Sequence, residues 1–240
     1  MTKTLELVPG FDLKLWQDTE LYRSSIDSVL LANWIKVKKG QTLADLCSGS
    51  GIIGLCLAQK FQVTTYLLEL QTSLARLARK SIEDNQLQEK VQLLNINIQD
   101  ALQYLSHDSL NIISCNPPYF AAKDTPTLGS SRSHNIARHE LFFSQELLAQ
   151  IASKLLKDNG SLYLVYRPDR LIELMQVLQQ YNLPVKELLF VYPHVDDVAN
   201  LVLIKCRKTR RTNGLKIWPA LILYNRDGSY SEQLRKFCAR

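Results

Sequence analysis

Four consecutive residues, Asn116, Pro117, Pro118 and Tyr119, are suited to holding a weakly nucleophilic amine. An amine attached to an aromatic ring or a carbonyl has a delocalised lone pair, and it must become more tetrahedral before it can attack a methyl group. The Asn116 amide oxygen and the Pro117 carbonyl can accept its two hydrogens, because consecutive prolines fix φ and lack N–H donors. Tyr119 can stack on the planar group, which is worth about 1–3 kcal/mol for a base. An isolated Asn-Pro-Pro is usually an ordinary turn, so this interpretation depends on the surrounding elements.

A glycine-rich segment precedes this tetrad by about seventy residues. Residues 45–54 read DLCSGSGIIG, and the last six satisfy the pattern GxGxxG. Glycines at Gly49 and Gly51 let the backbone approach a ligand closely. The pattern alone is a weak signal, because a dinucleotide-binding enzyme has the same glycines and an acid about twenty residues further on, where this chain has Glu69.

Three carboxylates favour S-adenosylmethionine (SAM) over a dinucleotide. Asp45 ends the first predicted strand, where a carboxylate can face the amino group of the cationic cofactor but would repel a pyrophosphate. Asp100, after the third strand, suits the exocyclic amine of the cofactor's adenine, and Glu69, after the second, can accept both ribose hydroxyls. One such carboxylate alone indicates a surface ion pair or a helix cap. Three at the ends of successive parallel strands predict a SAM site, because ligands of open α/β sheets bind at that edge.

The apolar periodicity predicts alternating strands and helices around these residues. Strands are expected at residues 42–46, 63–70, 91–96, 110–115, 161–166, 185–192 and 198–206, and helices at 24–34, 51–60, 72–85, 140–156 and 169–181. The last two strands are joined too closely for a crossover helix, so they should form an antiparallel hairpin. The expected fold is α/β, with a doubly wound, seven-stranded, mostly parallel sheet and a terminal antiparallel strand.

The chain divides into three parts on this pattern. Residues 1–40 are expected to cover the ligand cleft, residues 41–206 to form the ligand-binding domain, and residues 207–240 to form a basic extension with an extra strand and turn. The residues between Tyr119 and His139 show no helical or strand period, and loops of that length are usually binding lids or disordered segments.

Charge and cysteine content bound the partners and the compartment. The net charge is +6, but residues 200–240 contain ten basic and two acidic residues, so the remaining chain is slightly acidic. A basic segment favours a polyanionic partner such as RNA, although a solvated charged surface is an equally good interpretation. Five scattered cysteines indicate neither a disulfide framework nor a zinc site, no metal is expected, and no signal peptide or membrane span is evident, so a cytoplasmic location is expected. The candidate RNA contacts are basic residues of the loop and the extension: Arg132, Arg138, Lys208, Arg210 and Arg211.

The tetrad after the fourth strand, together with the glycine segment, resembles the class I SAM-dependent methyltransferases of the NPPY group. Those enzymes have a Rossmann-like fold and methylate adenine N6, guanine N2, cytosine N4 or a glutamine amide. The resemblance covers about residues 43–206. Three flanking segments, LYRSSIDSVLLA at 21–32, ARHE at 137–140 and YRPDR at 166–170, are similar to the bacterial tRNA (adenine-N6)-methyltransferase family that acts on the adenine beside the anticodon of a valine tRNA.

The resemblance implies SAM as the methyl donor and a flipped adenine of RNA, above all of tRNA, as the acceptor. By the same carry-over the cofactor residues are Asp45, Gly49, Gly51, Glu69, Asp100 and Asn116, and the base is held by Asn116, Pro117 and Tyr119. The segment at 216–228 departs from the family core.

Several alternatives stay open on the sequence. A guanine-N2 methyltransferase of rRNA and a glutamine-amide methyltransferase of a protein both use the same tetrad, although the basic extension favours RNA. An NAD-dependent oxidoreductase would leave Asp45, Asp100 and the tetrad unexplained, and an intact tetrad argues against a non-catalytic RNA-binding protein. The chain is expected to be a monomer or a weak homodimer.

Overall fold

A computed structural model describes residues 3–18, 26–117 and 143–239. The strands in these ranges are β1 Lys3–Leu7, β2 Lys14–Asp18, β3 Thr42–Leu46, β4 Thr64–Leu68, β5 Val91–Leu94, β6 Leu110–Cys115, β7 Leu156–Tyr166, β8 Val185–Tyr192, β9 Leu201–Arg207, β10 Lys216–Ile217 and β11 Leu221–Ile222. The α-helices are α1 Ile26–Trp34, α2 Ile52–Phe61, α3 Thr72–Asp84, α4 Gln145–Leu155, α5 Leu171–Gln180 and α6 Glu232–Cys238, and short 3-10 helices span Ile98–Gln103 and Pro168–Arg170.

Nine of these strands form one sheet in the order β10-β8-β9-β7-β6-β3-β4-β5, with β11 also paired to β8. The pairs from β5 to β7 are parallel, and β9 is antiparallel to both of its neighbours, β7 and β8. The predicted α/β fold with a mostly parallel sheet and an antiparallel hairpin is therefore confirmed. All seven predicted strands are present, and the C-terminal segment adds two short parallel strands at the β8 edge.

Helices cover both faces of this sheet and bury two apolar layers. Neighbouring strand residues point to opposite faces, so Leu43 and Ile112 belong to the layer under α1 and α2, whereas Ala44 and Ile113 belong to the layer under α4 and α5. The central strands are buried on both sides, as expected where crossover helices flank a parallel sheet. In the described part of the chain, no helix has the length and apolarity needed to cross a membrane.

The predicted boundary between the fourth helix and the fifth strand is wrong. The sequence pattern indicated a helix over 140–156 that ends at Asp158-Asn159-Gly160, but α4 begins after Ser144, whose Oγ accepts a hydrogen bond from the Leu147 N–H at 3.0 Å, and ends at Leu155. The three turn-forming residues instead lie within β7. Asn159 takes a left-handed φ of 63°, and the Gly160 carbonyl accepts from the Lys208 N–H at 2.9 Å. Pairing with the residues that follow β9 therefore overrides the local turn preference.

The N-terminal segment contains a hairpin that the sequence pattern did not predict. Strands β1 and β2 pair antiparallel, and β2 packs on α3. The Trp16 N–H donates to Ser81 Oγ at 2.9 Å, and the Trp16 indole donates to Asp84 at 2.6 Å. Helix α1 lies against α2 and β7, in agreement with the predicted helix over 24–34, whose first two residues, Ser24 and Ser25, lie outside the described residues. The division of the chain at residues 40 and 206 stays a prediction.

Candidate active site

The predicted strand-end residues meet at one edge of the sheet. Asp45 lies in β3, Glu69 directly follows β4, and Asn116 directly follows β6. Asp100 lies in the 3-10 helix that follows β5. These four strands are consecutive neighbours and parallel, so their carboxyl ends form a single line across the sheet.

The loop after β3 turns sharply, through three residues with left-handed φ values. Gly49 has a φ of 59°, Gly51 one of 90°, and Cys47 one of 56° although it is not a glycine. A Cβ on Gly51 would lie 2.9 Å from Leu67 Cδ1, so this glycine is needed for packing against β4. A Cβ on Gly49 would meet no described atom within 4 Å, apart from its chain neighbours, so the described residues leave room beside this glycine for a ligand to approach.

Glu69 fastens this loop to the start of α3. Its Oε2 accepts from the Gly49 N–H at 2.7 Å and its Oε1 from the Gln71 N–H at 2.7 Å. The residue is 5% exposed, and this burial raises the pKa of its carboxyl while the N–H donors act in the opposite direction. Each carboxylate oxygen can accept a second hydrogen bond, so the geometry fits a polar ligand above the loop.

Asp45 occupies a different place from the one expected of a cofactor contact. It is fully buried beneath the glycine loop, where Oδ1 accepts from the Ser114 hydroxyl at 2.7 Å and Oδ2 from the Gly54 N–H at 3.2 Å. Burial raises the pKa of its carboxyl to about 7, against the opposing effect of these two donors. The carboxylate therefore ties β3 to β6 and to the start of α2, and it has no surface exposed to the cleft.

Asp100 lies in the 3-10 helix that follows β5, at the same sheet edge as Glu69 and Asn116. Asn97 caps its 3-10 helix, because the Asn97 side chain accepts from the Gln99 N–H at 3.1 Å. Asp100 is half-buried, and its Oδ1 accepts a long hydrogen bond of 3.4 Å from Gln103 Nε2. A weakly engaged carboxylate at the end of β5 can hydrogen bond to an amine.

Asn116 is oriented by a residue of α1. Its Nδ2 donates to the Ser28 hydroxyl at 2.9 Å, and Ser28 is only 4% exposed. Pro117 is buried beside it. The structure thus joins the first two residues of the predicted tetrad to the cofactor edge through α1 and β6. Pro118, Tyr119, Arg132 and Arg138 lie outside the described residues.

The structure does not bring the predicted basic contacts of the extension to this edge. Lys208 follows β9, which runs antiparallel to the rest of the sheet, so the residue lies at the opposite edge, where its ammonium contacts Asp108 at 2.6 Å. Arg210 and Arg211 follow it there and are exposed. With six residues in β6 and about 3.3 Å per residue, these cations lie about 20 Å from Asn116.

Three serines of the site were not singled out from the sequence. Ser28 orients Asn116 and Ser114 holds Asp45, while the buried Ser48 Oγ in the glycine loop has no hydrogen-bond partner among the described residues. The available signal was a polar residue within an apolar run, which both Ser28 and Ser114 are. A buried hydroxyl without a partner is costly, so Ser48 fits a loop that closes around a polar ligand.

Known methyltransferases are similar in sequence to this chain. The sequence model of the methyltransferase small domain family matches residues 23–190. A Trichodesmium erythraeum protein named tRNA1(Val) (adenine(37)-N6)-methyltransferase is 30% identical over 153 residues, and the match spans 62% of either chain, which is less than two thirds of that relative's length.

Two solved structures share the fold. A predicted O-methyltransferase from Agrobacterium tumefaciens superposes with a TM-score of 0.69 at 20% identity, covering 88% of this chain and 95% of its own. The TYW2 protein of M. jannaschii in complex with AdoMet has a TM-score of 0.60 at 14% identity, covering 86% and 85%. Because the family model matches well over half of its residues, the chain belongs to the methyltransferase small domain family.

Proposed function

We propose that the protein transfers a methyl group from SAM to the exocyclic N6 of an adenine in tRNA. The observation that carries this proposal is the placement of Asn116, which directly follows β6 and donates to Ser28, beside the loop that Glu69 fastens. An acceptor amide at that position can hold an amine next to a donor bound over the glycine loop.

The cofactor end of the site fits SAM. Glu69 would take the ribose hydroxyls with its remaining acceptor capacity, and Asp100 would accept from the adenine amine. Among the described residues, Gly49 has room beside it and the Ser48 hydroxyl has no hydrogen-bond partner, and both features fit a polar ligand that lies against the loop. Asp45 supports this loop from beneath, since its carboxylate is fully buried. Bound SAM supplies an electrophilic methyl group, and the structural relative in complex with AdoMet supports this choice of cofactor.

The acceptor end of the site explains how a poor nucleophile becomes reactive. The Asn116 amide oxygen and the Pro117 carbonyl would accept the two hydrogens of the amine and draw its nitrogen towards tetrahedral geometry. Tyr119 would stack on the flipped base, which offsets part of the few kcal/mol needed to extrude it. No residue needs to act as a strong base, because the methylated amine is cationic and releases its proton readily to water.

The choice of adenine in tRNA is supported by the relatives. Proteins named tRNA1(Val) (adenine(37)-N6)-methyltransferase match 62–80% of this chain at 25–30% identity, which favours adenine 37 of a valine tRNA as the target. The basic residues after Asn200 support a polyanionic substrate as well.

A direct test supplies purified protein with isotope-labelled SAM and, in separate reactions, total tRNA, rRNA and cell protein. Mass spectrometry of the digested products should detect N6-methyladenosine in the tRNA reaction. N2-methylguanosine in rRNA would keep the chemistry and change the substrate, whereas methylglutamine alone would replace RNA by a protein acceptor. Calorimetry should show binding of SAM and none of NAD, and the reverse result would overturn the cofactor assignment.

A further inference from the structure

Three aromatic rings form a ladder at the surface, away from the candidate active site. The ring of Tyr224 lies between those of His194 and Tyr230, with centroid distances of 5.9 Å and 5.7 Å. The two tyrosine rings are stacked, with 24° between their planes. His194, Tyr224 and Tyr230 are called the aromatic ladder below.

Hydrogen bonds of a backbone turn and of the His194 side chain hold the aromatic ladder in place. A tight turn joins the two tyrosines: the Gly228 N–H donates to the Asn225 carbonyl at 3.0 Å, and the Asn225 N–H donates to the Ser229 carbonyl at 2.8 Å. His194 Nδ1 lies 2.8 Å from an oxygen of Asp197. Rings that are fixed before a ligand arrives lose little conformational entropy when it binds.

The ladder borders a groove large enough for a nucleotide. The groove has a volume of about 540 Å³, and its lining includes His194, Tyr224, Arg226 and Gln233. Sites for small ligands span roughly 300–1,000 Å³. The Arg226 side chain is 85% exposed and contacts Asp196 at 3.1 Å, and an ion pair in water is weak enough for a phosphate to displace the carboxylate.

The ladder lies at the same sheet edge as Asn116. Ile222 of β11 is in register with Tyr192, the last residue of β8, and the Tyr224 N–H donates to the Pro193 carbonyl at 2.9 Å. Strands β8, β9 and β7 separate β11 from β6. Four strand spacings of about 4.8 Å place the ladder roughly 19 Å from the acceptor site, which a single-stranded RNA can span in a few nucleotides.

We propose that the aromatic ladder and its groove bind an unpaired stretch of the RNA substrate, a few nucleotides from the base that is methylated. One base stacks on the rings, because every base has a flat face that an aromatic side chain can contact. Arg226 contacts a backbone phosphate. The inference rests on the proposed RNA substrate, and it adds to that proposal a second contact that positions the RNA without reading its sequence.

The test compares three variants with wild-type protein, with a fluorescein-labelled single-stranded 12-nucleotide RNA of mixed sequence as the probe. Tyr230→Ala should weaken binding at least about fivefold, the loss expected for one stacked base. Tyr230→Phe keeps the ring and should stay within about twofold. Tyr104→Ala is the matched control, because Tyr104 is as exposed as Tyr230, at 57% against 54%, and lies in a different segment, directly after the 3-10 helix Ile98–Gln103. It should leave binding unchanged.

A wild-type affinity in a folded Tyr230→Ala protein would overturn the inference. If that variant unfolds, crosslinking decides instead: 4-thiouridine in the probe should attach to the peptide 224–230 of wild-type protein, and attachment elsewhere alone contradicts the proposal. Methylation assays on total tRNA separate the two proposals. Wild-type turnover with an unaltered Tyr230→Ala affinity rejects only the ladder, whereas methylglutamine without methylated RNA rejects the RNA substrate itself.

Discussion

Asn116 and Ser28 are 88 positions apart in the sequence, yet the Asn116 amide donates to the Ser28 hydroxyl at 2.9 Å. The bond joins the end of β6 to α1, an element that precedes the glycine loop. Because an amide that donates with its nitrogen turns its oxygen the other way, Ser28 sets the direction of the acceptor on which the proposed chemistry depends.

Asn116→Ala should lower kcat much more than SAM affinity, because the amide oxygen is needed mainly while the amine becomes tetrahedral. Loss of one preorganised polar group of this kind costs about 10²–10³ in rate. Asn111→Ala is the matched control: Asn111 lies on the same strand, but its side chain accepts from the Thr42 N–H at the opposite edge. The control should lose some stability and no turnover. Full activity in Asn116→Ala would contradict the proposed mechanism.

Ser28→Ala should reduce kcat about threefold to tenfold, the typical value of one neutral hydrogen bond. SAM affinity, measured by calorimetry, should not change. A double-mutant cycle tests positioning directly, since Ser28→Ala should have no further effect on kcat once Asn116 is already alanine. Additive losses in the double variant would show that Ser28 acts on something other than Asn116.

Asp45→Asn should gain stability relative to wild-type protein as the pH rises from 3.8 to about 7, and the difference should level off at higher pH. Folding raises the pKa of the Asp45 carboxyl from 3.8 to about 7, so the folded protein binds the proton more tightly than the unfolded chain does. Stability from this group is therefore greatest at low pH and is lost as the pH rises through 7, by an amount on the order of a few kcal/mol. Asparagine can accept from the Gly54 N–H with its amide oxygen and donate to the Ser114 hydroxyl with its nitrogen, without a charge. Thermal midpoints that differ equally at every pH would argue against this titration.

Replacing Arg210 and Arg211 by glutamine should leave kcat unchanged, because both residues lie about 20 Å from Asn116. The slope of log affinity against log salt should fall by about 0.7 for each phosphate contact that is lost on single-stranded RNA. The same change at Arg76 and Arg79, exposed on α3, serves as the control. An unchanged salt slope would show that Arg210 and Arg211 belong to the solvated surface and do not contact RNA.

The sequence by itself determined the succession of strands and helices along the chain, the antiparallel hairpin and the strand-end positions of Asp45, Glu69, Asp100 and Asn116. These features depend on local periodicity and on a rule of parallel sheets, that the carboxyl ends of neighbouring strands share an edge. Both kinds of information lie within short segments, so they can be predicted without knowing distant contacts.

The tertiary structure decided which groups those residues contact. Whether a carboxylate faces a cleft or a core depends on its neighbours across strands, so Asp45 was expected at the ligand and lies instead beneath the loop, bound to Ser114. Likewise, Lys208 was expected to contact RNA, and its ammonium instead contacts Asp108, which lies 100 positions away in the sequence. Pairings such as Ser28 with Asn116 join segments far apart in the chain, and no local pattern encodes them.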